Sequence, residues 1–256
     1  MRVKKSLGQN FLKSEIALRK IVEAGEIKPE DIILEIGPGK GALTEKLLEK
    51  SKQVIAVEKD RELVEFLKNK FAEQIKFGSL VLVHGDILDF DFRAYNLEPG
   101  IYKLIANIPY NITGAILKKF LTTKCQPGGI ILMVQKEVAQ RIIASDKKES
   151  LLSISVKAYG EPKMIMKVPA RYFSPAPKVD SAVIAIKNIS RKIFEDSKVD
   201  ENKFWEIVKK GFAHKRKKLS GNLKSVVTRQ DLVTLDFGDK RAQDLTLKDW
   251  ITLAQI

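Results

Sequence analysis

Residues 32–41 read IILEIGPGKG and join a short apolar run to a cluster of glycines. Turn-forming residues precede this stretch, and a helical pattern covers residues 42–50 after it. Apolar runs without alternation are typical of strands that are covered on both faces in a parallel sheet. Glycines between such a strand and a helix let the backbone approach a ligand closely. The stretch therefore predicts an α/β fold with a ligand site at this turn.

Six more apolar runs continue the pattern. Those at residues 53–57, 80–84, 102–106 and 129–135 are separated by helical segments and are predicted to be parallel strands. The last two runs, at 164–168 and 182–187, are joined by a loop without a helix. They predict an antiparallel pair at the edge of the sheet. The expected fold class is thus α/β, an open and mostly parallel sheet with helices on both faces and one reversed edge strand.

Strand signals stop at about residue 188. Beyond it, Phe204, Ile207, Val208 and Gly211 fall on one face of a helix, and residues 246–254 form a last helical segment. We therefore predict two domains, 1–187 with the ligand site and 188–256 as a small helical domain.

The chain has 46 basic and 32 acidic residues, a net charge of +14, and a single cysteine. One cysteine excludes an internal disulfide, and the apolar runs are too short to span a membrane, so we expect a soluble cytoplasmic protein with no membrane partner. The positive charge is concentrated in residues 1–20 and 203–224, which predicts a polyanionic partner, although solvated helix faces would look the same. The candidate RNA-binding residues are Lys4, Lys5, Lys209, Lys210, Lys215, Arg216, Lys217 and Lys218.

Three acidic residues, Glu35, Glu58 and Asp86, follow successive predicted strands. Strand ends of parallel sheets meet at one edge, where ligands of open α/β folds bind. The glycine pattern alone also fits a dinucleotide, and each acid could instead cap a helix. Clustered carboxylates repel a pyrophosphate, however, and attract a cation. A sulfonium cofactor, S-adenosylmethionine, therefore fits better, with Glu58 taking both ribose hydroxyls.

Asn107-Ile108-Pro109-Tyr110 follows the fourth predicted parallel strand. Asn and Pro often simply end strands. The same four residues also suit methylation of an exocyclic amine such as adenine N6. The side chain of Asn107 and the carbonyl of Ile108 can accept its two hydrogens, Pro109 holds the bend, and Tyr110 offers a face for an unstacked base.

With these motifs the sequence resembles the rRNA adenine N6,N6-dimethyltransferases, and among them the branch that acts on small-subunit rRNA. The resemblance covers nearly the whole chain. Besides the residues above, it includes GQNFL at 8–12, FSPAPKVDS at 173–181 and RAQDLT at 241–246, where Gln243 replaces the usual acid.

The resemblance implies a Rossmann-like class I methyltransferase domain and an RNA-binding helical domain. It places Asn10, Leu12, Glu35, Gly37, Gly39, Glu58, Asp86 and Asn107 around S-adenosylmethionine, with no metal. It also assigns Phe173, a core aromatic by pattern alone, to sandwich the target adenine against Tyr110. The implied substrate is a pair of adjacent adenosines in a hairpin near the 3′ end of 16S rRNA, in the maturing 30S subunit. The enzyme is expected to be a monomer.

Three other functions remain open at this level. A sister branch dimethylates one adenosine of large-subunit rRNA and shares most of these motifs, but segments 6–12 and 241–246 favour the small-subunit branch. A non-catalytic nucleic-acid-binding factor on the same scaffold is disfavoured by the intact tetrapeptide and the three acids. A small-molecule methyltransferase is disfavoured by the two basic segments.

Overall fold

The computed structural model describes Lys4 and residues 7–256, and the chain folds into two compact units. Unit 1 extends to residue 139 and includes residues 161–189, whereas unit 2 contains residues 140–160 and 190–256. The predicted boundary at 187/188 lies two residues from the second junction. Residues 140–160 differ from the prediction because Tyr159 joins the unit 2 core, where its hydroxyl donates to Glu201 and its ring packs against Phe194.

The seven predicted runs form strands with ends shifted by a few residues, and Phe11–Leu12 and Phe173–Ser174 form two short strands that were not predicted. Unit 1 thus has nine described strands. They are β1 (Phe11–Leu12), β2 (Ile32–Ile36), β3 (Gln53–Glu58), β4 (Leu80–His84), β5 (Tyr102–Asn107), β6 (Gly129–Gln135), β7 (Glu161–Val168), β8 (Phe173–Ser174) and β9 (Ser181–Lys187). Within the described residues, seven of them form one sheet in the order β4-β3-β2-β5-β6-β9-β7, and β1 pairs with β8 in a small antiparallel sheet.

Strands β2 to β6 are parallel, which confirms the predicted α/β class. The residues of β2, β3, β5 and β6 are mostly buried on both faces, as the unbroken apolar runs indicated; Ile33, Leu34 and Val54 are fully inaccessible. On the outer strand β4 only Leu80 is buried, and His84 is exposed. The parallel register pairs Glu35 with Ala56 on β3 and Glu58 with His84 on β4. Chain direction alone therefore brings the polar residues that end these strands to one edge of the sheet.

The antiparallel pair lies at the edge of the sheet, as predicted, but the reversed strand is its inner member. Strand β9 runs antiparallel to both β6 and β7, so the outermost strand, β7, points the same way as the parallel strands. The first six residues of β9 are buried, whereas Glu161, Lys163 and Lys167 of β7 are exposed. A strand with charged side chains suits an edge, and a wholly apolar one suits the interior.

Helices cover the sheet of unit 1 and make up unit 2. In chain order they are α1 (Glu15–Ala24), α2 (Ala42–Leu48), α3 (Arg61–Lys70), α4 (Ala72–Lys76), α5 (Thr113–Thr122), α6 (Lys136–Ile143), α7 (Leu151–Lys157), α8 (Lys192–Ser197), α9 (Glu201–Gly211), α10 (Leu219–Asn222), α11 (Arg229–Thr234) and α12 (Leu247–Gln255). Asp60 caps α3, since its side chain accepts a hydrogen bond from Glu62 N. Among the described residues, no helix is long and apolar enough to cross a membrane.

Unit 2 is built on the helical face that the sequence predicted. Phe204, Ile207, Val208 and Gly211 of α9 are buried, and α9 packs against α12. The contact is closest at Gly211, where an added Cβ would lie 2.3 Å from the ring of Trp250. Trp250 is fully buried, so its ring has no room to move away.

We predict that Gly211→Ala destabilises unit 2. Alanine gains about 1 kcal/mol over glycine in a helix, but overpacking a buried ring costs about 1–3 kcal/mol, so the net free energy of unfolding should fall. Both tryptophans, Trp205 and Trp250, lie in unit 2, and urea denaturation followed by their fluorescence measures the change. Gly221→Ala in α10, where the nearest atom would be 4.0 Å away, is the matched control. Equal stability of the two variants would contradict the packing argument.

Candidate active site

The carboxyl ends of β2, β3 and β5 surround a cavity of about 630 Å³. Segments 7–13, 36–40, 85–87 and 107–112 complete its wall, and its size is ordinary for a small-molecule site. The eight predicted cofactor-binding residues all line it, namely Asn10, Leu12, Glu35, Gly37, Gly39, Glu58, Asp86 and Asn107. Ile108, Pro109 and Tyr110 line it as well. The fold thus gathers residues that are up to 100 positions apart into one wall.

The conformation of the glycine loop, residues 37–41, depends on Gly37 and Gly39. Gly37 has φ +62°, a left-handed conformation that favours glycine, and no atom lies within 4 Å of the place where a Cβ would be. Its N–H donates to Val57 O on β3 (2.9 Å). A Cβ on Gly39 would lie 3.0 Å from the ring of Phe11. The loop therefore lies directly against segment 7–12, and its backbone borders the cavity without side chains in between.

Both carboxylate oxygens of Glu58 are held by backbone N–H groups. Oε2 accepts from Gly39 N (3.2 Å) and Oε1 accepts from Asp60 N (2.9 Å). Glu58 is only 5% exposed, and this burial raises its pKa, with the two N–H groups acting in the opposite direction. The carboxylate is thus held in one orientation at the cavity wall, where it can accept hydroxyls of a ligand.

Glu35 is buried beside this group, and its pKa lies above the ordinary value. Thr44 Oγ1 donates to Glu35 Oε2 (2.7 Å). Burial raises the pKa of Glu35 to about 8; the Thr44 bond opposes this shift and the charge of Glu58 adds to it. The acidic edge is therefore less negative than three carboxylates imply, and Glu35 remains able to ionise when a cation binds next to it.

Asp86 is held by Lys59 and by the turn that follows it. Its Oδ2 pairs with Lys59 Nζ (2.8 Å), and its Oδ1 accepts from Leu88 N (2.9 Å). The bond from Lys59 lowers the pKa of Asp86, so this acid is ionised. Asp86 therefore does cap a short 3₁₀ turn, the alternative that was open for all three acids, while Glu35 and Glu58 cap no helix.

The side chain of Asn107 is oriented by the chain near the N-terminus. Asn107 Nδ2 donates to the backbone carbonyl of Asn10 (3.3 Å). This bond selects one of the two amide orientations, in which Oδ1 is the atom left to accept hydrogens. The orientation is the one that gripping an exocyclic amine requires.

Tyr110 is anchored through its hydroxyl. The oxygen lies 2.5 Å from Ser181 Oγ, and either atom can donate. Ser181 is fully buried and is the first residue of β9, paired with both Gln135 and Val168. The ring of Tyr110 is thereby fixed to the sheet while it borders the cavity.

Phe173 is not among the residues that line the cavity. It is 3% exposed and belongs to the hydrophobic core with Leu12, its partner in the β1–β8 pair. Pairing of β8 with β1 buries the ring, and the predicted base sandwich with Tyr110 stays a prediction. The neighbouring Ser174 lines the cavity instead.

Some of the predicted RNA-binding residues form ion pairs with carboxylates and others do not. Lys4 contacts Asp60 and Glu62, Lys210 pairs with Glu206, and Lys218 pairs with Asp239. Lys5 lies outside the described residues. In the part of the chain that the structure describes, no ion pair involves the exposed residues Lys209, Lys215, Arg216 and Lys217.

Sequence reasoning missed Gln9, Lys59 and Ser181. Gln9 contacts Asp60, which is 51 residues away, and Ser181 contacts Tyr110 at a separation of 71 residues. No local periodicity could indicate such pairs. The only available signal was that Gln9 and Ser181 belong to the two segments, 8–12 and 173–181, that carry the resemblance.

We predict that Glu35→Gln changes how stability depends on pH. The folded-state pKa of about 8 exceeds the ordinary 4.5, so between these values the folded protein binds more protons than the unfolded chain. The contribution of Glu35 to the free energy of unfolding is complete below pH 4.5. It is lost as the pH rises through the folded pKa, at up to about 1.4 kcal/mol per pH unit. Urea denaturation at pH 5 to 8.5 should show a smaller decline for Glu35→Gln than for the wild type. Glu30→Gln, at an exposed site, controls for loss of a surface charge; parallel curves for Glu35→Gln and the wild type would contradict the assignment.

The polar side chains on the cavity wall fit the functional groups of S-adenosylmethionine. Glu58 is fixed to accept a ribose diol, Asp86 is an ionised acceptor, and Glu35 can ionise beside a cation. Four lysines also line the cavity, Lys13, Lys40, Lys59 and Lys70. Lys59 is paired with Asp86, and Lys70 Nζ donates to the carbonyl of Lys40. Among the described residues, no three metal-ligating side chains lie together.

Comparisons with known proteins agree with this site. The family described as ribosomal RNA adenine dimethylase matches residues 1–256. The ribosomal RNA small subunit methyltransferase A of Dehalococcoides mccartyi strain CBDB1 is 39% identical, over 98% of this chain and 87% of its own.

Two solved structures share the fold over nearly the full length. A dimethyladenosine transferase from Plasmodium falciparum has a TM-score of 0.80 at 28% identity and covers 95% of both chains. The 23S rRNA methyltransferase ErmE has a TM-score of 0.75 over 96% of this chain and 98% of its own, but at 24% identity it shows the fold alone. Since the family match spans the whole sequence, this chain belongs to the ribosomal RNA adenine dimethylases, enzymes that use S-adenosylmethionine as their methyl donor.

Proposed function

We propose that this protein transfers methyl groups from S-adenosylmethionine to N6 of two adjacent adenosines in a hairpin near the 3′ end of 16S rRNA. The observation that carries the proposal is the amide of Asn107, whose Nδ2 is engaged by Asn10 O while Oδ1 stays available on the cavity wall. The relative from D. mccartyi is named for the small ribosomal subunit, which favours 16S rRNA in the maturing 30S subunit as the partner of a cytoplasmic monomer.

The cofactor site follows from the positions of the predicted residues. Glu58 would take the ribose hydroxyls and Asp86 the amino group of the cofactor adenine. Asn10, Leu12 and Gly37 would border the methionine part, where Glu35 would ionise next to the cationic groups. When bound, the cofactor supplies an electrophilic methyl group at its sulfonium.

The protein's residues then act by positioning the target amine. Adenine N6 is a weak nucleophile because its lone pair is delocalised into the ring. Asn107 Oδ1 and the carbonyl of Ile108 would accept its two hydrogens and favour a pyramidal nitrogen whose lone pair points at the methyl group. The attacking nitrogen can lose its proton to water afterwards, so no strong base is needed, and most of the rate enhancement comes from alignment.

Tyr110 would hold the target base. Its ring is tied to Ser181 through the hydroxyl, so an adenine flipped out of a hairpin would meet a platform that is already fixed. Phe173, the second predicted side of the sandwich, is buried in this structure and would have to move to contact the base.

The exposed residues Lys209, Lys215, Arg216 and Lys217 of unit 2 would contact rRNA phosphates. Among the described residues, no carboxylate forms an ion pair with them, whereas Lys4, Lys210 and Lys218 are paired with carboxylates. Such contacts supply affinity without sequence preference, so selection of the two adenosines falls to the cavity and to the shape of the particle.

We predict that the purified protein, with S-adenosylmethionine, forms dimethyladenosine on undermethylated 30S particles and not on 50S particles or naked 23S rRNA. Asn107→Ala should lower kcat by about 100-fold or more, since alignment of the amine is lost, with RNA affinity unchanged. Mass spectrometry of digested rRNA and filter binding measure the two quantities. Asn69→Ala, on the exposed face of α3, is the control.

Activity confined to the 50S substrate would shift the assignment to the large-subunit branch. Failure to bind S-adenosylmethionine in calorimetry would instead favour a non-catalytic RNA-binding factor.

We predict that replacing Lys209, Lys215, Arg216 and Lys217 by Gln weakens rRNA binding and flattens its salt dependence. Each lost phosphate contact should reduce the slope of log K against log[salt] by about one. The control removes four exposed lysines of unit 1, Lys50, Lys52, Lys76 and Lys124. If both quadruple variants show the same slope, net charge rather than this surface determines binding.

A further inference from the structure

Segment 7–12 is attached at three points around the cavity. Gln9 Nε2 donates to Asp60 Oδ2 (2.8 Å), Asn10 O accepts from Asn107 Nδ2 (3.3 Å), and Phe11–Leu12 pair with β8. Lys4 adds to the first point, because its Nζ contacts Asp60 Oδ1 (2.6 Å) and its N–H donates to Gln9 Oε1 (2.8 Å). The segment therefore connects Asp60, beside the ribose-binding acid, to the amide that faces the target amine.

Contacts other than the one with Gln9 already fix the position of Asp60. Its Oδ1 caps α3 by accepting from Glu62 N (3.0 Å), and its N–H donates to Glu58 Oε1 (2.9 Å). The side chain is 2% exposed. Burial alone would favour the neutral acid, but the hydrogen bonds from Lys4 and Gln9 outweigh it and lower the pKa of Asp60. Gln9 thus donates to a rigid and ionised acceptor, the stronger kind of hydrogen bond.

The position of Asn10 follows from that of Gln9. Adjacent Cα atoms are about 3.8 Å apart, so a shift of Gln9 must move the carbonyl of Asn10. At 3.3 Å the bond from Asn107 is already long, and a small displacement would break it. The Asn107 amide would then be free to rotate, and Oδ1 would lose its defined place.

We propose that Gln9 and Asp60 form a positioning pair that holds segment 7–12 in register and, through the carbonyl of Asn10, orients the Asn107 amide for the target amine. Neither residue touches the reacting atoms in this assignment. The catalytic part of the inference rests on the proposed methyltransferase function, whereas the effect of the pair on segment 7–12 can be measured without activity.

The test exchanges the two side chains. Gln9→Glu places a carboxylate against that of Asp60, whereas the double variant Gln9→Glu/Asp60→Asn restores one amide and one carboxylate with the roles reversed. Asn caps helices as well as Asp does, so the double variant keeps the cap of α3. Gln74→Glu on α4, outside the cavity wall, adds the same charge elsewhere and is the control.

Two measurements are made on the full-length protein. Hydrogen exchange by mass spectrometry should show faster exchange over peptides covering residues 7–12 in Gln9→Glu and recovery in the double variant. At saturating S-adenosylmethionine, kcat on 30S particles should fall about 10- to 100-fold in Gln9→Glu and recover in the double variant, with the KM for 30S particles unchanged throughout.

Unchanged exchange in Gln9→Glu, or a double variant no better than the single one, would overturn the pairing. Altered exchange with an unchanged kcat would overturn the link to Asn107. A wild-type protein without methyl transfer contradicts the proposed function, and the exchange experiment still decides whether the pair holds the segment.

Discussion

Two backbone N–H groups, from Gly39 and Asp60, hold the buried carboxylate of Glu58, and much of the site depends on these bonds. A carboxylate removed from water is costly unless donors replace the lost hydration. Gly39 belongs to the glycine loop after β2, and Asp60 is the N-cap residue of α3. The loop, the start of the helix and the carboxylate therefore fix one another. Through Asp60 the same constraint extends to Gln9 and the segment that orients Asn107.

Burial also decides which charges the site carries. Burial raises the pKa of Glu35 to about 8, whereas the bond from Lys59 lowers the pKa of Asp86. Counting acids in the sequence therefore overstates the negative charge at the strand ends. The basic residues need the same correction, because Lys4 is bound to Asp60 while Lys215 to Lys217 are exposed and without ion pairs among the described residues. The +14 of the whole chain therefore does not show which basic residues are free of ion pairs.

The strands were predictable because a strand covered on both faces has no polar positions along most of its length. That pattern states which residues are buried but not which strands are neighbours. It therefore found both β7 and β9 and placed them at the edge, without indicating that β9 lies inside β7. Residues 140–160 show the same limit. Tyr159, in this stretch, contacts Glu201 and Phe194. Both partners lie 35 or more residues further along the chain, so a local helical pattern cannot indicate them.

The sequence by itself determined the positions of the strands, the glycine loop, the acids at the strand ends and the tetrapeptide at 107–110. Each of these is a local pattern set by burial, backbone conformation or residue chemistry. Only the tertiary structure decided how the side chains are used: the orientation of the Asn107 amide, the pairing of Lys4, the burial of Phe173 and the raised pKa of Glu35. The physical reason is distance along the chain. Asn10 and Asn107 are 97 residues apart, Lys4 and Asp60 are 56 apart, and burial depends on everything that packs around a group.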